Sequence, residues 1–245
     1  SFTDSRIYDY PLMQSPFLPG AILLSYVYFV LSLGPRIMAN RKPFDLKPLM
    51  VVYNFSLVAL SAYIVYEVRM VQPYFTICLI ARQVNLMCQY PFKAHMLNTF
   101  SYLLLFVFIF KVFFVVRKKN SQITFLHIFH HSVLPWSWWW GVKFGPGGMG
   151  SFHAMINSLV HVIMYFYYGL SAAGPRFQKY LWWKKHMTAI QLIQFVLVSI
   201  HISQYYFMPS CDYQYPIFIH LIWIYGTVFF ILFSNFWYQA YTKGR

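Results

Sequence analysis

The chain has 245 residues, 59% hydrophobic, 22% aromatic and only 10% charged, where a soluble domain averages about 25% charged and 45–50% apolar. That composition excludes an ordinary soluble domain and a disordered chain. The net charge of +14 sets 19 Lys and Arg against five acids, Asp4, Asp9, Asp45, Glu67 and Asp212, and because the bases flank long apolar runs they read as membrane topology, not as a nucleic-acid surface.

Roughly 20 apolar residues cross the ~30 Å hydrocarbon core of a bilayer. Seven stretches meet that need: Phe17–Gly34, Leu49–Tyr66, Met96–Val116, Ile123–Trp140, Phe152–Ser171, Met187–Met208 and Pro216–Tyr238. Each should be helical, because lipid cannot satisfy an open backbone. The expectation is an all-α, polytopic membrane protein whose residues 1–245 form a single integral domain. Between the second and third spans, Met70–Pro91 is broken by Arg82, Gln83 and Asn85 and reads as a loop or interfacial helix. GPGGMG (Gly145–Gly150) is the tightest turn signal and makes the fourth and fifth spans an antiparallel hairpin.

Loop charges orient the spans. Arg36, Arg41, Lys42 and Lys47 follow the first. Arg117, Lys118 and Lys119 follow the third, and Arg176, Lys179, Lys184 and Lys185 follow the fifth. Lys243 and Arg245 end the chain. The positive-inside rule puts these thirteen of the 19 bases in the cytosol. The N-terminus is then lumenal or extracellular and the C-terminus cytosolic.

Polar side chains inside a membrane helix are costly and mark function by default. The fourth span carries His127, His130 and His131, which share an arc of about 100° on one helix face. The fifth carries Asn157 and His161 four residues apart, with Tyr165 and Tyr168 extending the same face. His131 and His161 both fall ~16–18 Å from the turn, so four histidines can converge at one depth. The sixth span adds Gln191, Gln194 and His201. Taken singly, His153, His201 and His220 read as interhelical glue, and Trp136, Trp138, Trp139 and Trp140 as an interfacial belt.

An HxxHH box also occurs in di-iron desaturases and hydroxylases. Such sites take many ligands, usually with carboxylates, and the spans carry only Glu67, at an edge. A single zinc remains compatible with the ligand count, but metal-free chemistry is favoured and no cofactor is expected. Histidine titrates near neutrality and serves as nucleophile or acid–base. That suits acyl transfer from a thioester, and condensation with a malonyl thioester, which forms its carbanion by losing CO2, needs no carboxylate base. A transporter is the other class. It would show repeated halves or facing broken helices, and no such pair is read.

At these residues the chain resembles the ELO family, the very-long-chain fatty acid elongases of the endoplasmic reticulum membrane. The resemblance rests on LHIFHHSVLPWSWWW (Leu126–Trp140), Asn157 with HVIMYFYY (His161–Tyr168), YLWWKK (Tyr180–Lys185) and TAIQLIQF (Thr188–Phe195), in that order. It implies seven helices around a central acyl-chain cavity. It implies condensation of a fatty acyl-CoA with malonyl-CoA to a 3-ketoacyl-CoA two carbons longer, with release of CO2 and CoA. His127, His130, His131, Asn157 and His161 would be catalytic. Arg117, Lys118, Lys119, Lys184, Lys185 and Arg245 would meet the CoA phosphates, and Tyr165, Tyr168, Gln191, Gln194 and His201 would line the substrate path. The closed lumenal end would measure the acyl tail. Partners implied are the lipid bilayer, the ketoacyl reductase, dehydratase and enoyl reductase of the same cycle, and further elongase chains in a homo- or hetero-oligomer. Cys78, Cys88 and Cys211 fall on or near the side assigned to an oxidising compartment, which suggests one disulfide; Cys211 lies where the family has a cysteine, and its expected mate is Cys78, by position in the loop after the second span, with Cys88 the alternative.

One window departs. The Lys, Glu and Asp of the family's KxxExxDT-type motif would fall at Leu104, Val107 and Phe110, and Lys111 stands where the family has Thr.

Overall fold

The computed structural model describes residues 11–71, 112–119, 123–145, 147–208, 213 and 215–243. The elements among them are helical. A short helix α1 (Pro11–Gln14) leads into α2, which runs from Phe17 to Met38. Then come α3 (Lys47–Val71), α4 (Phe125–Phe144) and α5 (Gly150–Ala172). A 3₁₀ turn (Pro175–Tyr180) precedes α6 (Lys184–Ser203), and α7 (Pro216–Trp237) ends in a π turn over Tyr238–Thr242. Of the expected third span only residues 112–116, which are helical, are described. The proposed disulfide partners Cys78 and Cys211, and the phosphate contact Arg245, lie outside the described residues.

Among the described residues, four helices are long and apolar enough to cross a bilayer: Phe17–Met38, Lys47–Val68, Lys184–Phe207 and Pro216–Thr242. Helices α4 and α5, of 20 and 23 residues, have the length but are less apolar. Their histidines, serines, tryptophans and tyrosines make them so.

Proline explains the irregularity in α2. Pro35 has no N–H to give, and the turn before it widens into a π turn over Phe29–Leu33, where the Gly34 N–H reaches back to the Phe29 carbonyl. The described helix 112–116 stops as Lys118 enters the left-handed region (φ 54°). The Lys118 and Lys119 N–H groups then close on the Val115 and Phe114 carbonyls, at 3.0 and 2.9 Å, in a Schellman-type end.

The most extensive packing is between α3 and α5. The buried face of α3 runs Asn54, Leu57, Ser61, Ile64 and Val68, and α5 answers with Ser151, Ala154, Ser158, Tyr165 and Gly169. Both recur every three or four residues, and the small side chains let the backbones approach, as membrane helix pairs require. Helix α5 also packs on α6, α6 on α7, and α2 on α4.

The expected α4–α5 hairpin is present as a connection but not as a packed pair. Gly147 and Gly148 make the turn with positive φ (110° and 57°). Trp138 meets His153 beside it, ring centroids 5.0 Å apart. Farther from the turn close backbone contact is sparse, and α5 spends its small-residue face on α3. The space left between α4 and α5 is the cavity described next.

The two ends differ in charge. At one, Lys118 Nζ donates to the Ala39 carbonyl (3.0 Å) and the Phe44 N–H to the Val116 carbonyl (3.2 Å). Two of the expected cytosolic loops therefore meet at one end. At the other, Trp139 Nε1 donates to the Leu12 carbonyl (2.7 Å), and Lys143 Nζ to those of Met13 and Gln14 (2.8 and 3.0 Å). There too the Tyr213 hydroxyl donates to the Gly145 carbonyl (3.2 Å), and burial pushes its phenol up to about 12, so it stays protonated as a donor through neutral pH.

Candidate active site

A cavity of about 300 Å³ opens between α4 and the α5–α6 pair. From α4 it receives His127, His130 and His131. From α5 come Asn157, His161, Tyr165 and Tyr168, and from α6 Lys184, Gln191, Gln194 and Phe195. Spacings of three, four and seven residues put each set on one helix face. Helix α7 closes the wall with Phe233, Phe236 and Tyr241.

The histidines are held differently. Thr124 caps α4 from an extended conformation, its hydroxyl 3.5 Å from the His127 N–H and 2.6 Å from His127 Nδ1. His130 stands edge-on to His131 (5.2 Å) and to Phe229 (4.8 Å). His161 stands edge-on to Tyr165 at 5.4 Å. Its Nδ1 is buried without a hydrogen-bond partner among the described residues, a costly arrangement in an inert core. Gln191 Nε2 points at the Met164 sulfur, 3.6 Å away. Among the described residues no three His, Cys, Asp or Glu side chains form a group that could hold a metal.

Beside the cavity lies a second pocket of about 400 Å³ that shares Phe114, Tyr168 and Lys184 with it. Lys47, Arg117, Lys119 and Lys184 line this cleft. The exposed Asp45 sits at its rim, 3.4 Å from Lys47 Nζ. Hydrogen bonds from the Lys47 backbone N–H and ammonium hold its carboxyl below the usual range.

The structure thus brings the five expected catalytic residues into one cavity, together with Tyr165, Tyr168, Gln191, Gln194 and Lys184. Arg117 and Lys119 line the cleft beside it. Three expected residues line neither. Lys118 turns to Ala39, Lys185 is exposed one position round the helix from Lys184, and His201 packs at a tilt against Phe152, ring centroids 4.2 Å apart, farther along α6 than the cavity lining. Lining residues that were not expected include Thr124, Lys47, Phe195 and Tyr241. Thr124 precedes His127 by three residues, the spacing of a helix cap, and so was open to discovery. Lys47 had been counted only as a topology charge.

A helical membrane protein with a histidine-lined cavity and a basic cleft at one end is the class that fold and site define. The chain matches the ELO family, described as the GNS1/SUR4 family, over residues 11–245, a range that includes the divergent window. It is 66% identical to very long chain fatty acid elongase 1 of Homo sapiens over 248 residues, covering 99% of this chain and 88% of that one. It is 53% identical to very long chain fatty acid elongase 7 of Rattus norvegicus over 246 residues (99% and 87%), and 38% identical to very long chain fatty acid elongase 4 of Homo sapiens over 253 (100% and 78%). The chain belongs to the ELO family, and its relatives make it an enzyme of fatty acid elongation.

Proposed function

We propose that the chain condenses a long or very-long-chain acyl-CoA with malonyl-CoA to give a 3-ketoacyl-CoA, CO2 and CoA, acting as a 3-oxoacyl-CoA synthase in the endoplasmic reticulum membrane. The observation that carries this reading is the adjacency of the two pockets. One holds four histidines and an asparagine, the other four bases, and they share Lys184. An acyl-CoA has the matching division, a reactive thioester between an apolar tail and a phosphorylated head.

In this reading the CoA phosphates occupy the basic cleft and the thioester reaches the histidines. The His130 imidazole attacks the thioester carbonyl, and CoA leaves as a thiolate that takes up a proton. Malonyl-CoA then loses CO2, and the enolate so formed attacks the acyl-imidazole. The new C–C bond forms, the acyl–nitrogen bond breaks and His130 is regenerated. His161 is its partner from the facing helix, and His127 and His131 orient and protonate. Asn157 supplies an amide donor for the oxyanion. In this reading the chain crosses the membrane seven times with a lumenal N-terminus and a cytosolic C-terminus, so that the basic cleft faces the cytosol, where both CoA esters are dissolved.

The test is purified protein in vesicles with labelled malonyl-CoA and a long acyl-CoA. It should yield labelled 3-ketoacyl-CoA without NADPH, O2 or added iron. His130→Ala should abolish it with the fold intact, and the wild type should exchange labelled free CoA into acyl-CoA before malonyl-CoA is added. A strict need for a reductant and O2 would favour a desaturase or hydroxylase. Missing exchange would replace the acyl-histidine with a single-step condensation.

A further inference from the structure

One group at the basic cleft has the wrong sign for an anion site. Of the five acids in the chain, Asp45 and Glu67 fall among the described residues. Glu67 is buried near the opposite end of α3, ~30 Å from Lys47 along the helix. Asp45 is therefore the single carboxylate, among the described residues, at the end where Lys47, Arg117, Lys119 and Lys184 line the cleft.

The chain fixes Asp45 from both sides. Before it, the Phe44 N–H donates to the Val116 carbonyl (3.2 Å), which pins the loop beside Arg117. After it, the Lys47 N–H donates to Asp45 Oδ1 (3.3 Å) as α3 begins, and the Lys47 ammonium donates to Oδ2 (3.4 Å). One carboxylate oxygen thus serves the start of a helix, and the other holds a cation of the cleft. Beyond these two hydrogen bonds, the Arg117 charge is a further pull that keeps the carboxyl ionised. The Lys47 and Asp45 side chains are 59% and 69% exposed. A pair so open to water is weak, and an incoming anion of higher charge can take the lysine from it.

We propose, on the acyl-CoA reading above, that Asp45 is an internal competitor for the phosphates of CoA, holding the Lys47 ammonium until a phosphate takes it over. An enzyme that condenses two CoA esters must also release free CoA and a CoA-ester product from the same bases. Four unopposed cations would retain all of these ligands. A carboxylate that reclaims one of the four weakens each bound head group and favours its release. Asp45 thereby sets how long the cleft keeps a CoA head, without touching the acyl chain or the reacting atoms.

The test measures the affinity of CoA for the protein in phosphatidylcholine vesicles, whose lipid has no net charge. Asp45→Asn keeps an oxygen to accept from the Lys47 N–H and removes the charge. It should tighten CoA about threefold at low salt, the scale of one exposed ion pair. The ratio of the two affinities should fall toward one in about 0.5 M salt, where exposed charges are screened. In a Lys47→Met background Asp45→Asn should have a much smaller effect, because the carboxylate acts through that lysine. A gain in affinity cannot come from general loss of fold. Unchanged or weaker CoA binding in Asp45→Asn would overturn the competitor and leave the acyl-CoA reading standing, as would an equal gain in the Lys47→Met background. Absence of saturable CoA binding to the wild type would overturn the acyl-CoA reading itself.

Discussion

The Nδ1 atom of His127 lies 2.6 Å from the hydroxyl of Thr124, the residue that caps the helix bearing the histidine triplet. One side chain thus starts α4 and fixes a ring nitrogen of His127, a residue that lines the cavity. Thr124→Val keeps the shape and removes the hydroxyl. It should cost about 1 kcal/mol in stability as a lost cap and reduce turnover roughly tenfold by freeing the ring. Thr124→Ser should restore both, measured by thermal melting and by the rate with labelled malonyl-CoA.

The cleft charges separate from the topology charges. Lys184 and Lys47 line the cleft, whereas Lys185 does not. Lys184→Met and Lys47→Met should each raise KM for acyl-CoA about tenfold, the scale of one charge-assisted hydrogen bond. Lys185→Met should leave KM within about twofold, as an exposed charge outside the site. Added salt should raise the wild-type KM by screening the cleft. Equal effects of all three substitutions would reduce these lysines to a diffuse field.

At the opposite end, Trp139 and Lys143 fasten α1 by three bonds to backbone carbonyls. Trp139→Phe removes the indole donor and strands the Leu12 carbonyl, with an expected loss of about 1–3 kcal/mol. Limited proteolysis should then cut first near residues 11–16. Cleavage elsewhere with an unchanged melting temperature would show that α1 contributes little.

Gly34 and Gly20 make a matched pair on α2. A methyl group on Gly34 would sit 2.6 Å from Val115 Cγ1 and 2.8 Å from the Phe29 carbonyl oxygen. Gly34→Ala should destabilise by about 1–3 kcal/mol. On Gly20 the same methyl meets Trp136 at 3.5 Å, ordinary contact. Gly20→Ala should be neutral or stabilising by about 0.5–1 kcal/mol through lower chain entropy. Thermal melts of the two variants in one detergent give the comparison.

Much of the cavity was legible because polar residues are scarce in these spans. HxxHH and Asn157 with His161 could each be placed on a helix face from periodicity alone, and those faces do meet at the cavity. The pairing of helices was less legible. The glycine turn gave the antiparallel hairpin of α4 and α5 but not the main partner of α5, whose small Ser151, Ala154 and Ser158 face packs on α3 in place of the tryptophan-rich α4. His201 was placed on the correct face at the wrong depth, since spacing gives angle more firmly than the height at which a cavity ends. Lys47 escaped because its loop and the one bearing Arg117 are distant in sequence, and only tertiary structure joins them.

Helices α4 and α5, the less apolar of the long helices described, are the two that carry the five expected catalytic residues. Composition alone favours lipid insertion of the four more apolar helices, so α4 and α5 depend more on packing against their neighbours. A defect on the face of α3 that packs on α5 is therefore expected to disturb the histidine cavity without touching a histidine.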